Sequence, residues 1–313
     1  MISNNTWAVV LAGGEGNRLK ALTTTASGEM IPKQFCSLRR RECLLDLALE
    51  RAANVALPAQ RCAVVAAQHR RWWEGLLERM PVRNIFVQPD NKGTAVGAAL
   101  ALLHIEARAP EAVVVLLPAD HFVQDERQVA QALQNVADRA AADRKSVYLL
   151  GAKPEFPDSE LGYIMPSRID LAGGTVHRFI EKPTVEEARA LIAGGALWNM
   201  FIVVAPVSTL LNLLDRSYNF INALRNTVPG KAGALGALRR VYKELPSVDL
   251  SRDVLAHWPE ALKVHPVPPC GWTDLGTPSR VAVLLRQDAV ARSEPPPPAI
   301  YWDLGRGPLA PMA

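Results

Sequence analysis

The sequence predicts an α/β protein built on a doubly wound, mostly parallel, Rossmann-like sheet, and two observations predict it. Short apolar runs alternate with longer helix-patterned segments through the first half of the 313-residue chain. Some of these runs, such as 113–117, hold no polar residue at all, as do strands covered on both faces. A βαβα rhythm of this kind is that of parallel strands joined by crossover helices.

Taken in order, the expected strands are 7–12, 62–67, 85–88, 113–117 and 146–151, with helices at 43–55, 69–79, 93–107 and 127–143. The second half changes character. Segments 162–166 and 175–183 flank Gly173-Gly174 and read as a β-hairpin. Thr184-Val185-Glu186-Glu187 is a capping box that opens a helix ending at Gly194-Gly195. A strand at 198–205, helical stretches to about 242, a strand at 261–267 and a helix at 278–290 follow. Pro295-Pro296-Pro297-Pro298 breaks helix, so the expected organisation is one domain over 1–292 and a proline-rich tail over 293–313. No internal repeat is present.

Composition excludes several classes. Hydrophobic residues at 49% and charged residues at 21% are those of a soluble globular chain rather than a disordered or collagen-like one. Lys+Arg 35 against Asp+Glu 31 leaves a net charge of only +4, too little for a dedicated nucleic-acid binder. A mean hydropathy of +0.04 directs attention to the longest uncharged run, 190–214. Gly194, Gly195, Asn199, Pro206, Ser208 and Asn212 interrupt it, so it reads as helix end, buried strand and next helix, not as a membrane span. No Lys or Arg precedes Trp7, and the first apolar run stops at Gly13-Gly14, unlike a signal peptide. Cys36, Cys43, Cys62 and Cys270 have no CxxC or metal-like spacing and read as reduced, buried thiols of a cytoplasmic protein. Neither nucleic acid nor membrane is an expected partner, and a homo-oligomer stays open.

The chemistry-bearing residues begin after the first strand, in Leu11-Ala12-Gly13-Gly14-Glu15-Gly16-Asn17-Arg18-Leu19. A glycine turn at a strand end lets backbone N–H groups approach phosphate oxygens, and Arg18 adds a guanidinium. The dinucleotide fingerprint would need a small residue where Leu19 stands, and a P-loop would need Gly-Lys-Ser/Thr. A turn like this also serves simply as a tight turn. Pro32-Lys33-Gln34-Phe35 sets a lysine behind a proline, and a lone lysine is ordinarily a solvated charge. In Leu117-Pro118-Ala119-Asp120-His121 an aspartate lies just past a buried strand, at the edge where open α/β sheets bind ligands. Asp120 there can either hold Mg²⁺ through oxygen or cap a helix, while His121 reads as a packing residue.

In order along the chain these segments resemble the sugar-1-phosphate nucleotidyltransferases, and within them the mannose-1-phosphate guanylyltransferases. Gln88-Pro89-Asp90-Asn91-Lys92-Gly93-Thr94-Ala95 resembles the family's nucleotide-binding loop. Gly162-Tyr163-Ile164, Phe179-Ile180-Glu181-Lys182-Pro183 and Trp198-Asn199 resemble its sugar-phosphate segments. Ser247-Val248-Asp249 and Gly271-Trp272-Thr273-Asp274-Leu275-Gly276 resemble its late motifs, so the likeness covers about residues 7–280. It implies a nucleotidyltransferase fold, a nucleoside triphosphate and a sugar 1-phosphate as substrates, and Mg²⁺ as cofactor. Residue by residue, it implies that Leu11, Ala12, Gly13, Gly14, Gly16, Gln88, Gly93 and Thr94 bind the nucleotide, Gln88 reading the base. Arg18, Lys33 and Lys182 would act on phosphates in catalysis. Gly162, Glu181 and Asn199 would hold the sugar, and Asp120 and Asp274 the metal. Asp249 reads as a helix cap. GTP with mannose 1-phosphate is the favoured pair. Another base or hexose, a non-catalytic nucleotide-sugar sensor and a glycosyltransferase are the alternatives.

Four departures from the family pattern stand out. Asn17 replaces a usual threonine, and about four extra residues lengthen 22–30, expected to form a flap over the nucleotide or to displace Lys33. Met200-Phe201 stand where Ser-Gly is usual, beneath the expected sugar, and Leu250-Ser251-Arg252 alter the late motif.

Overall fold

The structure is a computed structural model describing residues 3, 5–25, 27–37, 42–168, 173–227 and 234–291. The expected tail at 293–313 lies outside the described residues.

All the expected strands form. They are β1 (Thr6–Ala12), β2 (Arg61–Ala66), β3 (Ile85–Gln88), β4 (Val113–Pro118), β5 (Val147–Ala152), β6 (Gly162–Pro166), β7 (Gly174–Glu181), β8 (Leu197–Pro206) and β9 (Leu262–Val267). The helices are α1 (Lys20–Thr23), α2 (Leu44–Ala53), α3 (Arg70–Trp73), α4 (Gly93–Glu106), α5 (Glu126–Ala142), α6 (Val185–Ala193), α7 (Val207–Ser217), α8 (Ile221–Arg225), α9 (Ala234–Glu244) and α10 (Pro278–Ala291). The strands make one nine-stranded sheet in the order β3-β2-β1-β4-β8-β5-β9-β7-β6. β3, β2, β1 and β4 are mutually parallel, as are β5 and β9. β8 runs antiparallel between β4 and β5, and the β6–β7 hairpin is antiparallel.

The alternation of side chains along β1 builds two cores. Trp7 and Val9 face a layer containing α4, α7 and α8, while Ala8 and Val10 face α2 and α5. α4 has ten buried residues and no polar face, so it lies sandwiched between the sheet and α7. The run 190–214 resolves into the end of α6, then β8, then α7. No described helix is long and apolar enough to cross a membrane. The four cysteines are buried and unbridged.

One helix is shorter than its pattern. The segment expected over 69–79 is α-helical only at Arg70–Trp73 and continues as separate turns. Gly75 weakens the helix there by about 1 kcal/mol, and the Trp73 indole instead anchors the segment by donating to the Ala66 carbonyl at 2.9 Å.

The chain leaves β1 toward β2 and β3 on one side, then returns to place β4 on the other. The β1–β4 boundary is therefore the topological switch point, where a crevice opens beyond the carboxyl ends. Leu11 pairs with Pro118, and the Ala119 N–H donates to the Leu11 carbonyl at 3.2 Å, so both strands end side by side.

Candidate active site

The glycine turn leaves β1 at this crevice. Gly16 takes φ +67°, and a Cβ there would lie 2.9 Å from the Lys33 backbone nitrogen, so only glycine lets the two segments touch. Gln34 fastens the turn: its Nε2 donates to the Ala12 and Gly14 carbonyls at 3.0 and 2.9 Å. No local pattern marks Gln34 for this role, because its partners lie some twenty residues away.

Lys33 is 3% exposed, which requires partners for its ammonium. Its Nζ donates to Asp120 Oδ2 at 3.0 Å and to the Asp274 backbone carbonyl. One buried cation thus ties the end of β4 to the late Gly-Trp-Thr-Asp segment. The insertion at 22–30 does not displace Lys33. It folds back on itself through the Thr24–Met30 bridge, and Glu29 pairs with Arg71 at 2.6 Å.

Burial alone would raise the Asp120 carboxyl, but Lys33, His121 and Arg18 outweigh it and hold the group below the ordinary carboxylate range. Asp274 behaves alike, burial being outweighed by His121, Arg280 and Lys33. Its Oδ1 accepts the Gly276 N–H at 2.9 Å and the Arg280 guanidinium, while Arg18 stands 3.7 Å from Oδ2. Burial pushes His121 down to about 4, so its imidazole is neutral.

This donor set fits Mg²⁺ of a particular kind. Both aspartates are ionised, and among the described residues each keeps one oxygen with no donor closer than 3.7 Å. No group of three or more His, Cys, Asp or Glu gathers there among the described residues. Two carboxylate oxygens suit a hard cation that takes its remaining ligands from phosphate and water.

Beside the turn lies an open cavity of about 270 Å³. Leu11, Gly13, Gly14, Gly16, Gln88, Gly93, Thr94 and Asp120 line it, which brings together every expected nucleotide-binding residue except Ala12. Gln88 is buried, and the Tyr242 hydroxyl donates to its Oε1 at 3.4 Å, orienting the amide. Gly93 opens α4 at φ +84°, and a Cβ there would meet the Val248 carbonyl oxygen at 2.3 Å. The late segment docks here: Ala95 N–H donates to the Val248 carbonyl, and Leu250 N–H to Thr94 Oγ1 at 2.8 Å. Asp249 caps the short helical segment Leu250–Val254 by accepting the Arg252 N–H at 2.9 Å, and its carboxylate also lines the cavity.

The expected sugar-binding residues gather on the hairpin side. Gly162 pairs with Glu181 across β6 and β7. Burial first, and then the Asp249 carboxylate, raise Glu181 to about 7 against the lowering influence of Lys182, Arg252 and Arg18. Lys182 is exposed and sits at φ +51°. Asn199 is buried, and its amide is engaged: Oδ1 accepts the Phe201 N–H at 3.1 Å, and Nδ2 donates to Ser251 Oγ at 3.3 Å. Arg18 is half-exposed and leans on Glu160 at 3.3 Å. Arg280, in the amphipathic pattern of α10, gave no sequence signal, yet it bridges Asp158 and Asp274 while only 10% of its side chain is exposed.

The nucleotidyl transferase family matches this chain over residues 7–288. The xanthan biosynthesis protein XanB of Xanthomonas campestris pv. campestris is 29% identical over 297 residues, covering 90% of this chain and 59% of that protein. The mannose-1-phosphate guanylyltransferase of Escherichia coli strain K12 is 26% identical over 291 residues, covering 88% and 59%. The chain therefore spans about three-fifths of the length of these relatives. A solved structure from Thermus thermophilus, named a mannose-1-phosphate geranyltransferase, superposes with TM-score 0.75 at 28% identity over 87% of this chain and 76% of that one. A UDP-glucose pyrophosphorylase complexed with UDP-glucose, at 15% identity and TM-score 0.56, shares the fold. The resemblance carried by the motifs thus holds at the level of the family, and the chain belongs to the nucleotidyl transferase family.

Proposed function

We propose that this protein transfers a nucleotidyl group from a nucleoside triphosphate to a sugar 1-phosphate, with GTP and mannose 1-phosphate the preferred pair and GDP-mannose the product. The observation that carries the reading is Lys33, buried between Asp120 and the Asp274 backbone at the mouth of the glycine turn. Two ionised carboxylates and a cation held together at a strand edge form a site for phosphates that bring their own metal.

In this reaction an oxygen of the sugar phosphate attacks the α-phosphorus. The bond from that phosphorus to the oxygen bridging to the β-phosphate breaks, and its electrons leave on pyrophosphate. The nucleophile is already an anion, so no general base is needed, and neutral His121 fits that. The difficulty is bringing polyanions together, which Arg18, Lys33 and Lys182 offset electrostatically while the turn and the cavity orient the reactants. Mg²⁺ held by Asp120 and Asp274 would neutralise charge on the phosphate oxygens. Gln88 presents both an acceptor and a donor to a base. The name of the Escherichia coli relative supports the choice of GTP and mannose 1-phosphate.

The test is a grid of nucleoside triphosphates against sugar 1-phosphates with Mg²⁺, following pyrophosphate release. GTP with mannose 1-phosphate should lead, and Asp120→Asn should cut turnover by at least about 10²-fold without unfolding the protein. Near-normal turnover in a folded Asp120→Asn protein would refute the metal assignment. A grid silent throughout, from protein that still binds nucleotide, would instead indicate a sensor.

A further inference from the structure

Strand β8 is irregular where it passes the ends of the parallel strands. Leu149 of β5 pairs with Val203 and Gly151 with Asn199, so the single residue Leu150 faces three residues of β8, Met200, Phe201 and Ile202. Bulges of this kind re-aim side chains beside active sites, and their left-handed position is ordinarily a glycine. Here it is Phe201, at φ +55°. A bulky residue avoids that region because its Cβ crowds the backbone, so the conformation costs free energy and must be held from outside. Asn199 holds it by accepting the Phe201 N–H at 3.1 Å, and Ser251 in turn fixes Asn199.

What the strained turn achieves is visible in the side chains. Met200 and Ile202 are buried in the core, which any regular strand could arrange. Phe201 is only partly buried and lines the cavity with Leu11, Asp120, His121 and Asp249, its ring edge-on to His121 at 6.5 Å between centroids. The ring therefore stands at the cavity wall beside Asp120 and His121, and it leaves β8 two residues after Asn199, on the side where Asn199 and Glu181 gather around Gly162. A sugar 1-phosphate must approach along that side for its phosphate to reach the metal-binding end.

We propose that Phe201 is the specificity-determining residue for the acceptor, an apolar wall that sizes the sugar ring and excludes sugars with the wrong bulk. The proposal rests on the nucleotidyltransferase reading above. The apolar face of a pyranose packs on the ring, leaving its hydroxyls to Glu181 and to backbone, and a substituent turned toward the ring is rejected. Met200 and Ile202 face one core while Phe201 turns to the opposite face, where the left-handed backbone leaves its ring at the cavity and only partly covered.

Phe201→Gly tests this, with Phe201→Asn as a second variant that also tolerates the left-handed backbone. kcat/KM is measured for pentose, hexose and heptose 1-phosphates with the preferred triphosphate, together with the nucleotide Kd and thermal unfolding. We expect the ratio between the best sugar 1-phosphate and its bulkier rivals to fall by roughly tenfold or more. KM for the best one rises, and by a larger factor than any change in the nucleotide Kd. A ratio unchanged in both variants, alongside lowered thermal stability, would show Phe201 to be packing alone and overturn the proposal. A shifted nucleotide Kd with the sugar ratio intact would overturn it by placing the ring against the nucleotide. Wild-type protein that turns over no sugar 1-phosphate fails the parent reading, and that result is visible before any variant is made.

Discussion

Glu181 shows how one buried carboxyl carries a pH dependence into the whole site. Burial, with Asp249 adding to it, raises its pKa to about 7 from an ordinary 4.5. The folded protein therefore binds this proton more tightly than the unfolded chain. Its contribution to stability is fully present below about 4.5 and is lost as pH rises through about 7. Glu181→Gln should remove that loss: its urea midpoint, compared with wild type between pH 5 and pH 8, should gain at the higher pH. Equal pH slopes for the two proteins would refute the assignment. Sugar binding should run the opposite way, because the ionised carboxylate is the better acceptor for sugar hydroxyls. Residue identity was legible in the motifs, but this proton affinity was not. It comes from burial in the folded site and from Asp249, 68 positions further along the chain.

At the scale of elements, the strands were the most legible feature, because wholly apolar runs bounded by glycine and proline have few other uses. Less legible was what each turn touches. Gly93 reads as a loop glycine, yet its hydrogen stands where the Val248 carbonyl would collide with a side chain. Gly93→Ala should destabilise the protein by more than about 1 kcal/mol, combining a left-handed φ with that contact. It should also weaken nucleotide binding, because the 247–250 segment and the start of α4 are hydrogen-bonded together. Denaturant unfolding and nucleotide titration check it, and an unaltered midpoint would contradict the close approach. The bulge in β8 was invisible for a related reason: register depends on the neighbour β5, and the apolar run 200–205 satisfies a regular strand equally well.

At the scale of the molecule, the last helix reaches back to the site. Arg280 of α10 bridges Asp158, before β6, and Asp274, six residues before it, so one guanidinium ties the loop before β6 to the Gly-Trp-Thr-Asp segment. Arg280→Gln should raise the Mg²⁺ concentration for half-maximal turnover at least about tenfold by freeing the Asp274 carboxylate. Mn²⁺ binding measured without turnover should weaken in parallel, with Arg280→Lys partly restoring it. An unchanged metal dependence would reduce Arg280 to a structural pair. By itself the sequence determined the strands, most helices, the glycine turn and the list of polar residues worth attention, because periodicity and turn chemistry are local. Only the tertiary structure decided that Lys33 is buried between Asp120 and the Asp274 backbone, that Gln34 fastens the glycine turn and Tyr242 orients Gln88, and that Phe201 faces the cavity. Those outcomes depend on strand order and register, which bring together residues as much as 241 positions apart. No local pattern encodes such a pairing; the packing of the whole sheet does.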